Sequence, residues 1–274
     1  MSNTPSSPYS TLQVSRESAR PVTRITMSRP EVRNAFDEQL IADLRHALGE
    51  IRDAVEANEG PRVVVLTGSG KSFSAGADLH WMRKQKEASL EGNVADARAL
   101  ADLIRELYLL PCLTLGRVNG AAIGGGTGLV AACDISVALK QMTFAFSEVK
   151  LGLVPAVISP YVIKRIGERH AREYFLTAER FNGTRAAEIG LIQEAVDDEV
   201  ALDAALETRI DAALTAGPVA IRECKAMIAH ISEASLEHVY DYTAELIAKL
   251  RVSDEGQEGI AAFLEKRNAG YVVE

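Results

Sequence analysis

Glu148 and two short glycine-containing loops are the residues of this chain whose types and spacing could do chemistry. The loops are Ser74-Ala75-Gly76-Ala77-Asp78 and Gly124-Gly125-Gly126, and each follows an apolar, strand-like run. Glycine inside an element costs roughly 0.5–1 kcal/mol against alanine, so three in succession call for a backbone reason. That reason is either positive φ or close approach of a ligand to bare N–H groups. A helix starting near Gly126 would lead with N–H groups that lack intrahelical partners, at the positive end of its dipole. Two such loops, neither spaced like a P-loop nor like GxGxxG, point to a pair of N–H groups converging on one oxyanion. On the residues alone, that reading and plain turn chemistry stay open side by side.

Glu148 follows the apolar segment Thr143–Phe146 and precedes Val149-Lys150-Leu151-Gly152. Burial there would raise its pKa and suit it to general acid/base work. The alternative is an ion pair with Lys150.

The elements that must position these groups follow from periodicity. Alternating apolar residues across Thr11–Ser28 predict a two-stranded hairpin. Asn34 is the expected N-cap of a helix to about Ala57, with Leu40, Ile41, Leu44, Leu48 and Ile51 on one face. Val63–Leu66 reads as a strand covered on both faces. Arg83–Leu110 reads as helix, and Cys112–Val118, Ile135–Leu139 and Thr143–Phe146 as further strands. This alternation predicts an α/β layered body. Beyond Val157 the pattern turns helical. Thr184 is the expected cap of a short helix ending at Gly190, and Pro218 opens a helix to about His230. Ser235–Arg251 and Ser253–Lys266 read as the last two helices. The expected organisation is a flexible N-terminus over 1–10, an α/β domain over 11–197 and a helical region over 198–274.

The 274 residues carry a net charge of −8 and only short basic clusters, which argues against a nucleic-acid partner. No apolar run approaches the ~20 residues of a membrane span, and the polar N-terminus does not read as a secretory signal. Cys112, Cys133 and Cys224 have no CxxC spacing and read as buried thiols, with no metal site and a cytoplasmic location expected.

The order of Ser74–Asp78, Gly120–Gly126, Cys133-Asp134-Ile135, Ser147-Glu148 and the ending Glu258–Arg267 resembles the crotonase (enoyl-CoA hydratase/isomerase) superfamily. Within it, Gly126–Val130, Ser147–Leu153, Val157–Pro160 and Glu255–Gly259 are similar to bacterial methylglutaconyl-CoA hydratases. The resemblance implies a spiral of ββα units with a C-terminal helical trimerisation subdomain, assembling as a homotrimer or a dimer of trimers. It implies an acyl-CoA substrate, with coenzyme A as part of that substrate and no permanently bound cofactor. It also implies roles: Ala77 and Gly125 as oxyanion-hole donors and Glu148 as the acid/base, with Gly124 and Gly128 lining the substrate pocket. Arg33, Ala75, Asp78 and Leu79 would lie at the nucleotide end, the loop acting through backbone groups, while Phe263 and Lys266 would close over the CoA. Gly128 is a departure, because hydratases of this superfamily carry a first glutamate there. One carboxylate suits double-bond migration as well as hydration. Gly128 thus weakens a hydratase reading and strengthens an isomerase one. The same glycine fits the resemblance to the bacterial methylglutaconyl-CoA type, so the expected activity is hydration of an enoyl-CoA such as 3-methylglutaconyl-CoA. The alternatives are a Δ3,Δ2-enoyl-CoA isomerase and a non-catalytic CoA- or RNA-binding paralogue.

Overall fold

In the computed structural model, which describes residues 9–232 and 234–273, two sheets divide the strands by a simple rule. The first sheet has the order β1 (Leu12–Arg16), β2 (Val22–Met27), β3 (Val63–Gly68), β5 (Leu113–Val118), β7 (Ile135–Leu139), β10 (Glu194–Val196). The second has the order β4 (Ser72–Ser74), β6 (Ala121–Ile123), β8 (Thr143–Ala145), β9 (Phe181–Asn182). Each of β3, β5 and β7 is followed by a short strand that crosses to the second sheet, and neighbours in one sheet stay neighbours in the other. Helices return the chain: α2 (Leu79–Glu87) and α3 (Leu90–Tyr108) after β4, α4 (Gly125–Ala132) after β6, and α5 (Ser159–Thr177) after β8. The result is the expected spiral of ββα units.

The β1–β2 hairpin is antiparallel, pairing Leu12 with Met27, whereas β2, β3, β5, β7 and β10 run parallel. Parallel central strands need cover on both faces. In β3, Val64 and Leu66 enter one apolar core, while Val63 and Val65 enter a second. α1 (Glu38–Glu56) buries Leu40, Leu44 and Leu48 in the first core. α7 (Glu199–Leu214) buries Leu202, Leu206 and Ile210 in the second and lies across β5, β7 and β10. α6 (Gly183–Glu188), α8 (Pro218–Ile231), α9 (Leu236–Val252) and α10 (Asp254–Glu265) complete the chain. Among the described residues no helix is long and apolar enough to cross a membrane, and no cluster of side chains could hold a metal ion. Residues 1–8, most of the segment expected to be flexible, lie outside the described part.

Several expectations are corrected. Asp37, not Asn34, caps α1, accepting the Leu40 N–H at 2.8 Å. Asn34 is fully buried at φ 53°, its side chain accepting from Arg29 N at 2.9 Å and donating to Ser69 O at 2.9 Å and Ser72 O at 2.8 Å. It ties the entry to α1 to the loop ahead of the second sheet. The expected Arg83–Leu110 helix is two helices, because Ala88 turns extended and Ser89 caps the second through Gly92 N–H. Asn182 rather than Thr184 caps α6, through Arg185 N–H at 2.9 Å. Cys112 and Cys133 are buried, and burial pushes both thiols up to about 12, but Cys224 is exposed.

The two asparagine and aspartate roles predict unequal costs. Asp37→Ala removes one cap and is expected to lower stability by about 1 kcal/mol. Asn34→Ala strands buried partners and is expected to lower it by about 3 kcal/mol or more. Denaturant midpoints of the two variants check the order.

Candidate active site

The two loops singled out in the sequence leave adjacent parallel strands. Ser74 at the end of β4 pairs with Ala122 of β6, so residues 75–77 and 124–125 emerge side by side from the same sheet edge. Gly76 packs so closely on the second loop that a Cβ there would stand 3.0 Å from Ile123 O.

In the first loop the backbone is divided between two faces. Phe36 N–H donates to Gly76 O at 2.7 Å, and Phe36 O accepts the Asp78 N–H at 2.8 Å. In this single parallel bridge between Phe36 and Ala77, the N–H of Ala77 faces away from Phe36, and the residue is exposed. The Ala75 N–H is taken by Arg33 O at 3.0 Å, which sets Arg33 beside the loop with an exposed side chain. Asp78 is 5% exposed and caps α2 through His80 N–H at 2.8 Å, with Arg29 at 3.2 Å. Burial pulls its pKa up but is outweighed by the His80 and Trp81 N–H groups and Arg29, so its carboxyl stays below the usual range. That side chain is structural, and its backbone is engaged too, the N–H with Phe36 O and the carbonyl with Met82 N–H at 2.9 Å. Leu79 is 72% exposed.

The second loop turns at Gly124, with φ 51° and ψ −118°, the conformation of the first central residue of a type II′ turn. A side chain there is strained, so glycine is required. Its N–H donates to Ala145 O at 2.9 Å, fastening the turn to the end of β8. The first hydrogen bond inside α4 runs from Gly128 N–H to Gly124 O at 3.1 Å. The N–H groups of Gly125, Gly126 and Thr127 precede it and have no partner within the helix. The helix thus begins at Gly125, one residue earlier than expected.

β8 runs parallel to β6 with Ile123 opposite Ala145, and Glu148 follows three residues later, opening a 3-10 turn to Leu151. Its carboxyl lies over the Gly124 turn: a Cβ at Gly124 would stand 3.0 Å from Glu148 Oε1. Glu148 Oε2 is buried without a hydrogen-bond partner. Burial raises the pKa of Glu148, opposed only by its own backbone N–H. Among the ion pairs of the described residues none involves Glu148, and Lys150 is exposed, so the ion-pair alternative is not formed.

An apolar-rimmed turn carrying one poised carboxyl and a helix start with open N–H groups is equipped for enolate chemistry. The sequence profile of the Enoyl-CoA hydratase/isomerase family matches residues 17–272. The chain belongs to the enoyl-CoA hydratase/isomerase family. A putative enoyl-CoA hydratase of Thermus thermophilus is 34% identical over 246 residues, covering 90% of this chain and 95% of that one. The crystal structure of an enoyl-CoA hydratase from Shewanella pealeana superposes with a TM-score of 0.89 at 41% identity, covering 95% of each chain. Pseudomonas aeruginosa AtuE superposes with a TM-score of 0.90 at 33% identity, covering 95% of this chain and 99% of that one. The fold is the crotonase fold, and members of this enoyl-CoA hydratase/isomerase family act on acyl-CoA thioesters.

The remaining expected site residues fall in two places. Gly128 is buried on α4, one turn beyond Gly124, and a Cβ there would stand 2.2 Å from Ile158 Cγ2 and 3.6 Å from Ile104 Cδ1. A larger side chain at 128, such as the glutamate the sequence resemblance leads one to expect, has no room while Ile158 holds that position. Phe263 and Lys266 lie far along the chain on α10, Phe263 being 82% exposed and Lys266 ending the helix in left-handed conformation. This chain does not cover either one. Phe36, Asn34 and Ile158 were not singled out for a part in the site. Their contacts are long-range, and no local spacing carries them.

Because the ionised Glu148 is destabilised by burial, it weakens the fold at high pH. Its folded-state pKa is raised, so this penalty appears as pH rises from the ordinary carboxylate value through the raised one. Glu148→Gln is expected to melt above the wild type at pH about 8, with the gap closing below pH about 4. Calorimetry across that range checks it.

Proposed function

We propose that this chain adds water reversibly to an enoyl-CoA, with a branched glutaconyl thioester such as 3-methylglutaconyl-CoA as substrate. The observation that carries the reading is the buried, unpartnered Oε2 of Glu148 beside the Gly124 turn. In this mechanism the thioester oxygen sits between the N–H groups of Ala77 and Gly125, each donor worth about 2.7–4 kcal/mol to the enolate. Ionised Glu148 takes a proton from water as the water oxygen bonds to Cβ. The π pair moves through Cα onto the thioester oxygen, forming the enolate. As the enolate collapses, Cα takes that proton back from Glu148 and the carboxylate is restored. Dehydration runs the same steps in reverse, also starting from ionised Glu148.

Coenzyme A enters as part of the substrate. Arg33 and the backbone of Ala75–Leu79 hold its nucleotide end. Phe263 and Lys266 of a neighbouring subunit close over it, in a homotrimer or dimer of trimers. Lys266 acts there as a point cation toward phosphate. In support, Leu236, Tyr240, Val252 and Leu264 on α9 and α10 are largely exposed apolar residues that such an assembly would cover.

A second reading, Δ3,Δ2-enoyl-CoA isomerase, is favoured by one observation. The α4 position where a second carboxylate would stand is Gly128, and Ile158 fills the space beside it. A single carboxyl can move a proton between carbons without holding water. A substrate panel separates the two: 3-methylglutaconyl-CoA and crotonyl-CoA assayed for water addition, and a 3-enoyl-CoA for growth of the conjugated enoyl-thioester absorbance. Hydration is expected to exceed conjugation. Conjugation alone would establish the isomerase, and CoA binding without turnover would establish a non-catalytic paralogue.

Glu148→Gln is expected to lose about 10²-fold or more in kcat with little change in CoA affinity. In the wild type, kcat/KM should fall as pH drops through the raised pKa of Glu148, because the ionised form is the base. A rate for the variant above about a tenth of wild type, in steady-state assays, counts against the role.

A further inference from the structure

Two buried neighbours sit in sequence along α4. Glu148 lies over Gly124 and Ile158 over Gly128, and the two glycines are joined by the first hydrogen bond of the helix, at 3.1 Å. The fit at the second is the tighter. A Cβ at Gly128 would stand 2.2 Å from Ile158 Cγ2 and 2.9 Å from Ile158 Cβ, both nearer than non-bonded carbon atoms approach. Ile158 itself is 2% exposed and belongs to the main apolar core. Residues 152–158 join the Glu148 turn to α5: Leu153 N–H donates to Glu148 O at 3.1 Å, closing the turn, and Val162 N–H donates to Ile158 O at 3.1 Å, opening the helix.

We propose that Ile158 is a positioning residue of this site: seated in the notch at Gly128, it replaces a side chain on α4 and closes that side of the Glu148 pocket to water. The glycine at 128 is then half of a matched pair and not merely a lost carboxylate. Water entering the reaction must come with the substrate, from the open side of the loops, and it meets a carboxyl whose flank is hydrocarbon.

The charged groups around Glu148 leave this flank uncontested. At the start of α4 it faces the Gly124 turn. On α5, Lys164 stands over the Tyr108 ring at 5.7 Å, and Arg165 donates to Ala131 O and Asp134 O at 3.1 Å each. On α3, which packs on α4, Glu106 pairs with Arg45 at 2.8 Å, and the Arg105 guanidinium acts on Tyr161. Lys150, in the same 3-10 turn, is exposed. Burial is the one influence that raises the pKa of Glu148, and no charge is among its causes.

The inference rests on Glu148 as the acid/base, and its test is a direct titration that does not need turnover. Protein labelled with ¹³C at the glutamate carboxyl is titrated by NMR, with Glu148→Gln assigning the resonance. In Ile158→Ala the midpoint is expected to fall by about one pH unit, and in Ile158→Val by less, as water reaches the carboxyl. In the same variants kcat should drop while KM for the CoA thioester holds, and the acid limb of kcat/KM should follow the NMR midpoint. An unchanged midpoint in a cooperatively melting Ile158→Ala protein overturns the proposal. Should that variant not fold, an unchanged midpoint in Ile158→Val does so. Full turnover by Glu148→Gln would instead remove the acid/base reading and leave the titration result standing.

Discussion

The hydrogen bond from Gly124 N–H to Ala145 O holds the whole arrangement in place. It ties the turn that opens α4 to the last residue of β8, so the helix start and the carboxyl three residues beyond Ala145 cannot move independently. That bond is possible because β6 and β8 are parallel neighbours in register, with Ile123 opposite Ala145. Only a residue free of Cβ strain can then hold φ 51° and turn the next N–H outward. The first loop is held by the same logic. β4 is the other neighbour of β6, and Phe36 uses the two peptide groups flanking Ala77.

The larger fold supplies stiffness to this edge. Parallel strands covered on both faces are sealed by two apolar cores that divide the side chains of β3 alternately. Each crossing from first sheet to second is short, so the loops of the second sheet inherit positions set by the first. Buried Asn34 extends that control by bridging the α1 entry to the loop before β4, satisfying the backbone groups Arg29 N–H, Ser69 O and Ser72 O. Helix start, loop and carboxyl are thereby preorganised before any thioester arrives, the condition under which fixed dipoles stabilise developing charge best.

The electrostatics of the site come from exclusion more than from pairing. Elsewhere the carboxylates of this acidic chain find arginines, as Glu207 does with Arg20 and Arg24, or cap helices, as Asp37 and Asp78 do. Glu148 does neither. Its carboxyl lies over the Gly124 turn with Oε2 unpartnered, and its proton affinity rises by burial.

Much of this was legible in residue order. Strands β1, β2, β3, β5 and β7 follow from alternation and β-branched runs, and the last helices from Pro218 and the apolar stripe of Leu236 to Leu250, because those signals are local. The triplet at Gly124–Gly126 and the carboxyl at Glu148 marked the candidate site, since glycine and glutamate in apolar surroundings are costly without a reason. Tertiary structure alone decided the rest. Asn34 reads as a helix cap but serves as a long-range strut. Asp78 lies in the first loop, yet its side chain is spent on capping α2 and on Arg29. Ile158 looks like any core isoleucine until it is found against Gly128, thirty positions earlier. Periodicity and turn chemistry report what a residue does to its own backbone. Which side chain fills the space left by a distant glycine depends on how sheets and helices stack, and no spacing along the chain encodes that contact.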